Sequence, residues 1–140
     1  MKKLVTFLLL LVISISANAQ TETETLQYIN AKKVDIMFES PPTDQAQNFD
    51  IEKISSFLFP SSDNNAKYHR FIKWSDITDI SFNKENKILI KGKVVSASGE
   101  NYIALSCPDK AGKDLIAKFI KALRHMASLK GATLVKDDLF

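Results

Sequence analysis

The feature that most constrains the fold is a long amphipathic segment near the C-terminus. Between Pro108 and Gly131, apolar residues recur at spacings of one, three and four, which places them along one stripe of an α-helix. Asp109 is predicted to cap its N-terminus and Gly131 to follow its C-terminus, so the predicted helix spans residues 109–130. A stripe this wide needs an apolar partner of similar width. The stripe consists of Leu115, Ile116, Phe119, Ile120, Leu123, Met126 and Ala127.

The partner of this helix is predicted to be an antiparallel sheet built from the middle of the chain. Several short runs alternate apolar and polar residues, and polar turns such as 83–86 and 96–101 separate them. The run from Phe49 to residue 59 breaks the alternation at Ile54, and we interpret it as one bulged strand that ends at Pro60, with a partly helical segment as the alternative. The predicted core comprises Ile80, Phe82, Ile90, Ile103, Leu105, Phe119, Ile120 and Leu123.

The predicted fold class is α+β. Five to seven antiparallel strands form a sheet or partial barrel, the C-terminal helix caps it, and a short helix lies near residues 22–33. Residues 20–140 are expected to form one domain with a C-terminal tail, because about 120 residues can bury a core without disulfides.

The first 19 residues have the three parts of a secretory signal peptide. Lys2 and Lys3 form a basic start, a mainly apolar stretch of 12 residues follows at 4–15, and small residues occupy the cleavage site. The run is shorter than the ~20 apolar residues that span a bilayer. We therefore predict cleavage after Ala19, no stable membrane span in the mature chain, and a bacterial protein that is periplasmic or secreted.

Composition and spacing argue against several kinds of function. Cleavage of the signal peptide would remove Lys2 and Lys3 and leave 17 basic and 16 acidic residues. A typical nucleic-acid-binding protein carries a much larger excess of positive charge. The two histidines, His69 and His125, make no ligand cluster, so we predict no metal and no cofactor. Cys107 is the only cysteine. We interpret it as a small buried residue at a strand end, with a reactive thiol as the alternative.

One run in the middle of the chain carries a family resemblance. Residues 71–80, with the order Phe-Ile-Lys-Trp-Ser-Asp-Ile-Thr-Asp-Ile, are similar to the i-x-W-x-D-I-x-x-I stretch of bacterial pleckstrin-homology-like and GRAM-like domains. In those domains the stretch turns one strand into the next. The resemblance covers roughly residues 47–130 and implies a sheet or partial barrel closed by the C-terminal helix. It does not extend to phosphoinositide binding, because the basic residues here do not reproduce the family's basic motif.

The candidate binding residues are Tyr68, Arg70 and Trp74. They lie on the strand that leaves the polar loop 60–66, and this loop would form a rim together with the loop 96–101. Tyr, Trp and Arg are the residue types most enriched at binding hot spots. Two structural alternatives stay open, namely a core position for Trp74 and an ion pair between Arg70 and a carboxylate such as Glu52.

The predicted function is a non-enzymatic, exported binding or protein-interaction module, a monomer or weak homodimer whose partner is an unknown protein or small molecule. An ordinary fold-building pattern is present, and no catalytic constellation is recognisable in the sequence. One alternative is a carrier of a lipid or small apolar ligand, which would need an internal pocket. Another is a small hydrolase or thiol enzyme that uses Cys107, or Ser and His residues, in a cleft.

Overall fold

The computed structural model of the protein describes residues 21–36, 45–58, 68–96 and 99–135. Seven strands form two antiparallel sheets, and helices precede and follow them, which confirms the α+β class. Within the described ranges the sheets do not close into a barrel. The elements are α1 (21–36), β1 (Gln45–Phe49), β2 (Lys53–Leu58), β3 (Tyr68–Lys73), β4 (Ile77–Phe82), β5 (Lys87–Gly92), β6 (Val95–Ser96), β7 (Tyr102–Ser106) and α2 (Lys113–Leu129).

The chain crosses between the two sheets three times, after β3, after β5 and after β6. Sheet A has the strand order β1-β2-β3-β6, and sheet B has the order β4-β5-β7. A short 3-10 turn at Trp74–Asp76 carries the chain from β3 to β4, within the run that resembles the family motif. Gly92, with φ +152°, ends β5 and sends the chain back to sheet A as β6. A side chain at this position would meet the carbonyl of Asp76, which explains the need for glycine.

The segment predicted as one bulged strand is a tight hairpin, and that prediction is wrong. Asp50 Oδ1 accepts hydrogen bonds from the N–H groups of Glu52 and Lys53, both at 2.8 Å, which closes the turn between β1 and β2. Phe49 then lies directly opposite Ile54, and both side chains are buried. The alternation changes phase because the chain reverses direction, so the two apolar residues reach the same face from antiparallel strands.

The core lies between the sheets and both helices. Every predicted core residue is buried except Phe82, which is partly buried against the others. Phe49 joins elements distant in the chain, since its ring packs edge-on against Phe119 of α2 at 6.1 Å and tilted against Trp74 at 6.4 Å. Ile29 and Ile36 of α1 are fully buried in the same cluster. The N-terminal helix thus extends past its predicted end at residue 33.

The C-terminal helix begins four residues later than predicted. Its N-cap is Gly112, and Asp109 instead accepts a hydrogen bond from Asn86 Nδ2 at 2.7 Å. The predicted C-terminal end is confirmed. Gly131 has φ +89°, and its N–H donates to the carbonyl of Ser128, while the Ala132 N–H donates back to Ala127. These two hydrogen bonds form a Schellman cap.

The segment after α2 folds back onto β4. The Val135 N–H donates to the carbonyl of Thr78 at 3.0 Å. Arg124 of α2 reaches the same strand edge, where its Nη1 donates to the carbonyl of Ile80 at 3.0 Å. Its other terminal nitrogen donates to the carbonyl of Val135. Val135 and Arg124 therefore bond to the outer edge of β4.

Several predicted features lie outside the described residues. These are the signal segment 1–19, the loop 60–66 and the last five residues of the tail. Neither helix in the described ranges combines the length and the apolar character needed to cross a membrane.

Candidate functional site: a polar row in sheet A

Four polar residues line up across sheet A on the face that carries the core. The strand registers pair Gln47 with Ser56, Ser56 with Arg70, and Arg70 with Ser96. All four are half-buried. Because side chains two positions apart share a face, this polar row runs parallel to the adjacent apolar row formed by Phe49, Ile54 and Ile72. The polar row therefore lies at the edge of the hydrophobic core.

Arg70 supplies the positive charge of the polar row. Its Nη1 lies 2.5 Å from Glu100 Oε2, and the two side chains are 24% and 33% exposed. The structural alternative of an ion pair is thus confirmed, but the predicted partner, Glu52, is wrong. Glu52 lies in the β1–β2 turn, where its Oε1 is 3.9 Å from Lys130 Nζ. The register leaves Ser56, not Glu52, opposite Arg70.

The three predicted binding residues are not brought together on one accessible surface. Trp74 is fully buried, and its Nε1 donates to the carbonyl of Asp50 at 2.8 Å, so the core alternative is confirmed for this residue. The backbone of Tyr68 begins β3, whereas its side chain lies outside the described set. Arg70 alone of the three is described as partly accessible.

The only cysteine is embedded in the core. Cys107 follows β7, is 5% exposed, and its backbone N–H donates to the carbonyl of Asn86 at 2.8 Å. Burial raises the pKa of the Cys107 thiol from 9.0 to about 11, although a backbone hydrogen bond at Ile88 lowers it slightly. At neutral pH the thiol is therefore protonated and shielded, the opposite of a nucleophilic cysteine.

A shallow cleft lies beside the N-terminus of α2. It has a volume of about 130 Å³ and is lined by apolar residues, including Phe82 and Ile116, and by the polar pair Asn86 and Asp109. Those two polar side chains already bond to each other. Sites for small organic ligands usually measure about 300–1,000 Å³, so this cleft is small for a lipid. Across the described ranges, no group of three His, Cys, Asp or Glu side chains could hold a metal ion.

Sequence reasoning found Arg70 but missed the other members of the polar row. A signal for them exists, because Gln47 is in phase with Phe49, Ser56 with Ile54, and Arg70 with Ile72. Each strand therefore replaces an apolar residue by a polar one at the next core-facing position. The shared row becomes visible only once the register aligns the strands.

Comparison with known proteins assigns no family to the chain. No protein-family model matches the chain, and searches of curated proteins and of solved structures give no match either. The resemblance to pleckstrin-homology-like and GRAM-like domains therefore stays a prediction.

Proposed function

We propose that the protein is an exported, non-enzymatic binding or interaction module that contacts its partner through the polar row of sheet A. The observation that carries the proposal is the half-buried row of Gln47, Ser56, Arg70 and Ser96 on the core-facing side of a sheet. These side chains replace apolar ones on a face that otherwise builds the core, and their partial exposure leaves donors and acceptors within reach of a partner. Recognition of a polar group gives such a row a use.

The chemistry of the row indicates the kind of partner. Ser and Gln side chains offer donors and acceptors, and the Arg70 guanidinium offers a fixed fork of donors. Glu100 balances that charge at one side. Because both side chains are partly exposed, a partner can approach this ion pair from the solvent side. The fitting partner presents a carboxylate or another hydrogen-bond acceptor to Arg70.

Export and the family resemblance belong to the same proposal. The signal-like segment supports a periplasmic or secreted location, with cleavage after Ala19. Seven strands followed by one long helix agree with the layout that the resemblance implies. Intact-mass measurement of the exported chain checks the first point. A mature N-terminus at Gln20 is expected, and recovery of the full-length chain would contradict it.

The two alternative functions have less support. A thiol enzyme would need a reactive Cys107, whereas burial and a raised pKa oppose that role. A lipid carrier would need a large apolar pocket, and the cleft beside α2, at about 130 Å³, does not supply one within this part of the described chain. Neither alternative accounts for the polar row.

Native mass spectrometry of the protein purified from its export compartment tests the proposal. We expect a bound ligand or partner that is lost in Arg70→Ala and retained in Lys73→Ala. Lys73 is the matched control, because it lies on the same strand but on the opposite face and is exposed. Circular dichroism confirms that both variants fold. Equal retention of the bound species by the two variants would rule out the polar row as the contact surface.

A further inference from the structure

We propose that the outer edge of β7 pairs with β7 of a second copy of this chain and forms a two-fold symmetric dimer. The β5–β7 register fixes which backbone groups point outward. At the two ends of the β5–β7 ladder, the Cys107 N–H donates to the carbonyl of Asn86, and the Gly92 N–H donates to the carbonyl of Asn101. Because these pairs share the register of the ladder, the odd-numbered residues of β7 bond to β5. In an antiparallel ladder the intervening residues then direct their N–H and C=O groups away from β5. The outward residues are Tyr102, Ala104 and Ser106.

The other edge strands of the two sheets are partly covered or very short. Asn30 of α1 donates its Nδ2 to the carbonyl of Phe49, which covers the outer edge of β1 at that point. Val135 and Arg124 bond to the outer edge of β4, and β6 is only two residues long. Among the described residues, nothing bonds to the outward groups of β7. Natural proteins usually cover, shorten or charge such an edge.

The sequence of β7 makes this edge complementary to itself. Reversal about Ala104 exchanges Tyr102 with Ser106, so an antiparallel pair centred on Ala104 aligns every outward donor with an outward acceptor. The strand, Tyr-Ile-Ala-Leu-Ser, has no charged residue and no proline, so no like charges face each other across the two-fold axis. Tyr102 is 38% exposed and adds apolar area to the contact.

A second copy is the occupant that these features fit. An isologous contact needs one surface that complements itself, and β7 meets that condition in hydrogen bonding and in charge. The result is a continuous six-stranded sheet made from two three-stranded sheets B. Because strand-edge pairing buries less area than the ~1,200 Å² of a stable interface, the dimer is expected to be weak and concentration-dependent.

Sedimentation equilibrium of the purified protein over a range of about 5–500 µM tests the proposal, with the range chosen for a weak interface. The wild-type protein should shift from monomer to dimer within this range. Ala104→Pro removes an outward N–H that β5 does not use, so it should raise the dimer dissociation constant at least about tenfold. Ala104→Ser keeps the N–H and should dimerise like the wild type.

A second pair of variants decides the outcome where Ala104→Pro does not fold. In the proposed pairing, position 102 of one copy faces position 106 of the other. Tyr102→Glu with Ser106→Glu places two negative charges opposite each other across the interface and should give a monomer. Within each chain, Lys91 and Lys87 of β5 lie opposite the new carboxylates, so the variant should still fold. Tyr102→Glu with Ser106→Lys should restore the dimer. A wild-type monomer at every concentration, or dimerisation that both the proline and the double-glutamate variants leave unchanged, would overturn the proposal.

Discussion

Replacing Gly92 by alanine probes the point where the chain crosses from sheet B to sheet A. The added Cβ would lie 2.2 Å from the carbonyl oxygen of Asp76 and 2.9 Å from Cδ1 of Ile72. The first contact is with backbone that also accepts a hydrogen bond from Lys93 N–H at 3.2 Å. That carbonyl cannot move without breaking the link between the 3-10 turn and the crossing segment.

The expected loss of stability has two parts. The positive φ of Gly92 costs alanine about 1–3 kcal/mol, and the forced backbone shift adds about 1–3 kcal/mol. Gly131→Ala is the matched control, because Gly131 also has a positive φ but open space where its Cβ would be. The control should lose only the first part. The two variants should therefore differ by about 1–3 kcal/mol in their free energies of unfolding.

Urea unfolding followed by fluorescence measures this difference. Trp74 is the only tryptophan and is fully buried beside the crossing, so its emission should move to longer wavelength on unfolding. Two-state fits give the free energy of unfolding for each variant. Equal losses in Gly92→Ala and Gly131→Ala would refute the reasoning, because they would mean that the Asp76 carbonyl does not confine the Gly92 position.

Three further predictions concern the core. Phe119→Ala should lower the free energy of unfolding by about 3–5 kcal/mol in the same urea assay, since Phe119 is fully buried against Phe49, and an unchanged midpoint would contradict this. Trp74→Phe leaves the Asp50 carbonyl without its indole donor and should cost about 1–3 kcal/mol by thermal unfolding, whereas an equal melting temperature would remove the claimed hydrogen bond. Cys107 should react with a thiol reagent only after denaturation. Folding raises the pKa of the Cys107 thiol from 9.0 to about 11, so between these values the unfolded state loses the thiol proton more readily than the folded state. The free energy of unfolding should therefore fall as pH rises, by up to about 1.4 kcal/mol per pH unit. Cys107→Ala should lack this dependence.

Local patterns predicted the elements that rest on simple periodicity. The alternation around Ile90 and Ile103 predicted strands β5 and β7 of sheet B, and the helical stripe predicted the buried face of α2. The β1–β2 hairpin was missed because a phase change at Ile54 has two readings, a bulge or a reversal, and the Asp50 turn decides between them. The helix N-terminus was placed too early because Asp109 bonds to Asn86, a contact between distant segments.

The candidate site depended even more on contacts that the sequence does not display. Arg70 was found by residue type, but its partner Glu100 is thirty positions away and reaches it through the fold. The polar row joins β1, β2, β3 and β6, so its existence requires three strand registers at once. Trp74 has the residue type of a hot spot, yet its position at the entry to the 3-10 turn buries it.

Site-specific photo-crosslinking in the exporting cells tests the central claim most directly. A crosslinking amino acid at Ser56 sits within the polar row, and the same group at Lys73 projects from the opposite face of sheet A. We predict a discrete adduct from position 56 that disappears when Arg70→Ala is added, and no adduct of that mass from position 73. Equal adducts from both positions, or an adduct from position 56 that persists without Arg70, would contradict the account.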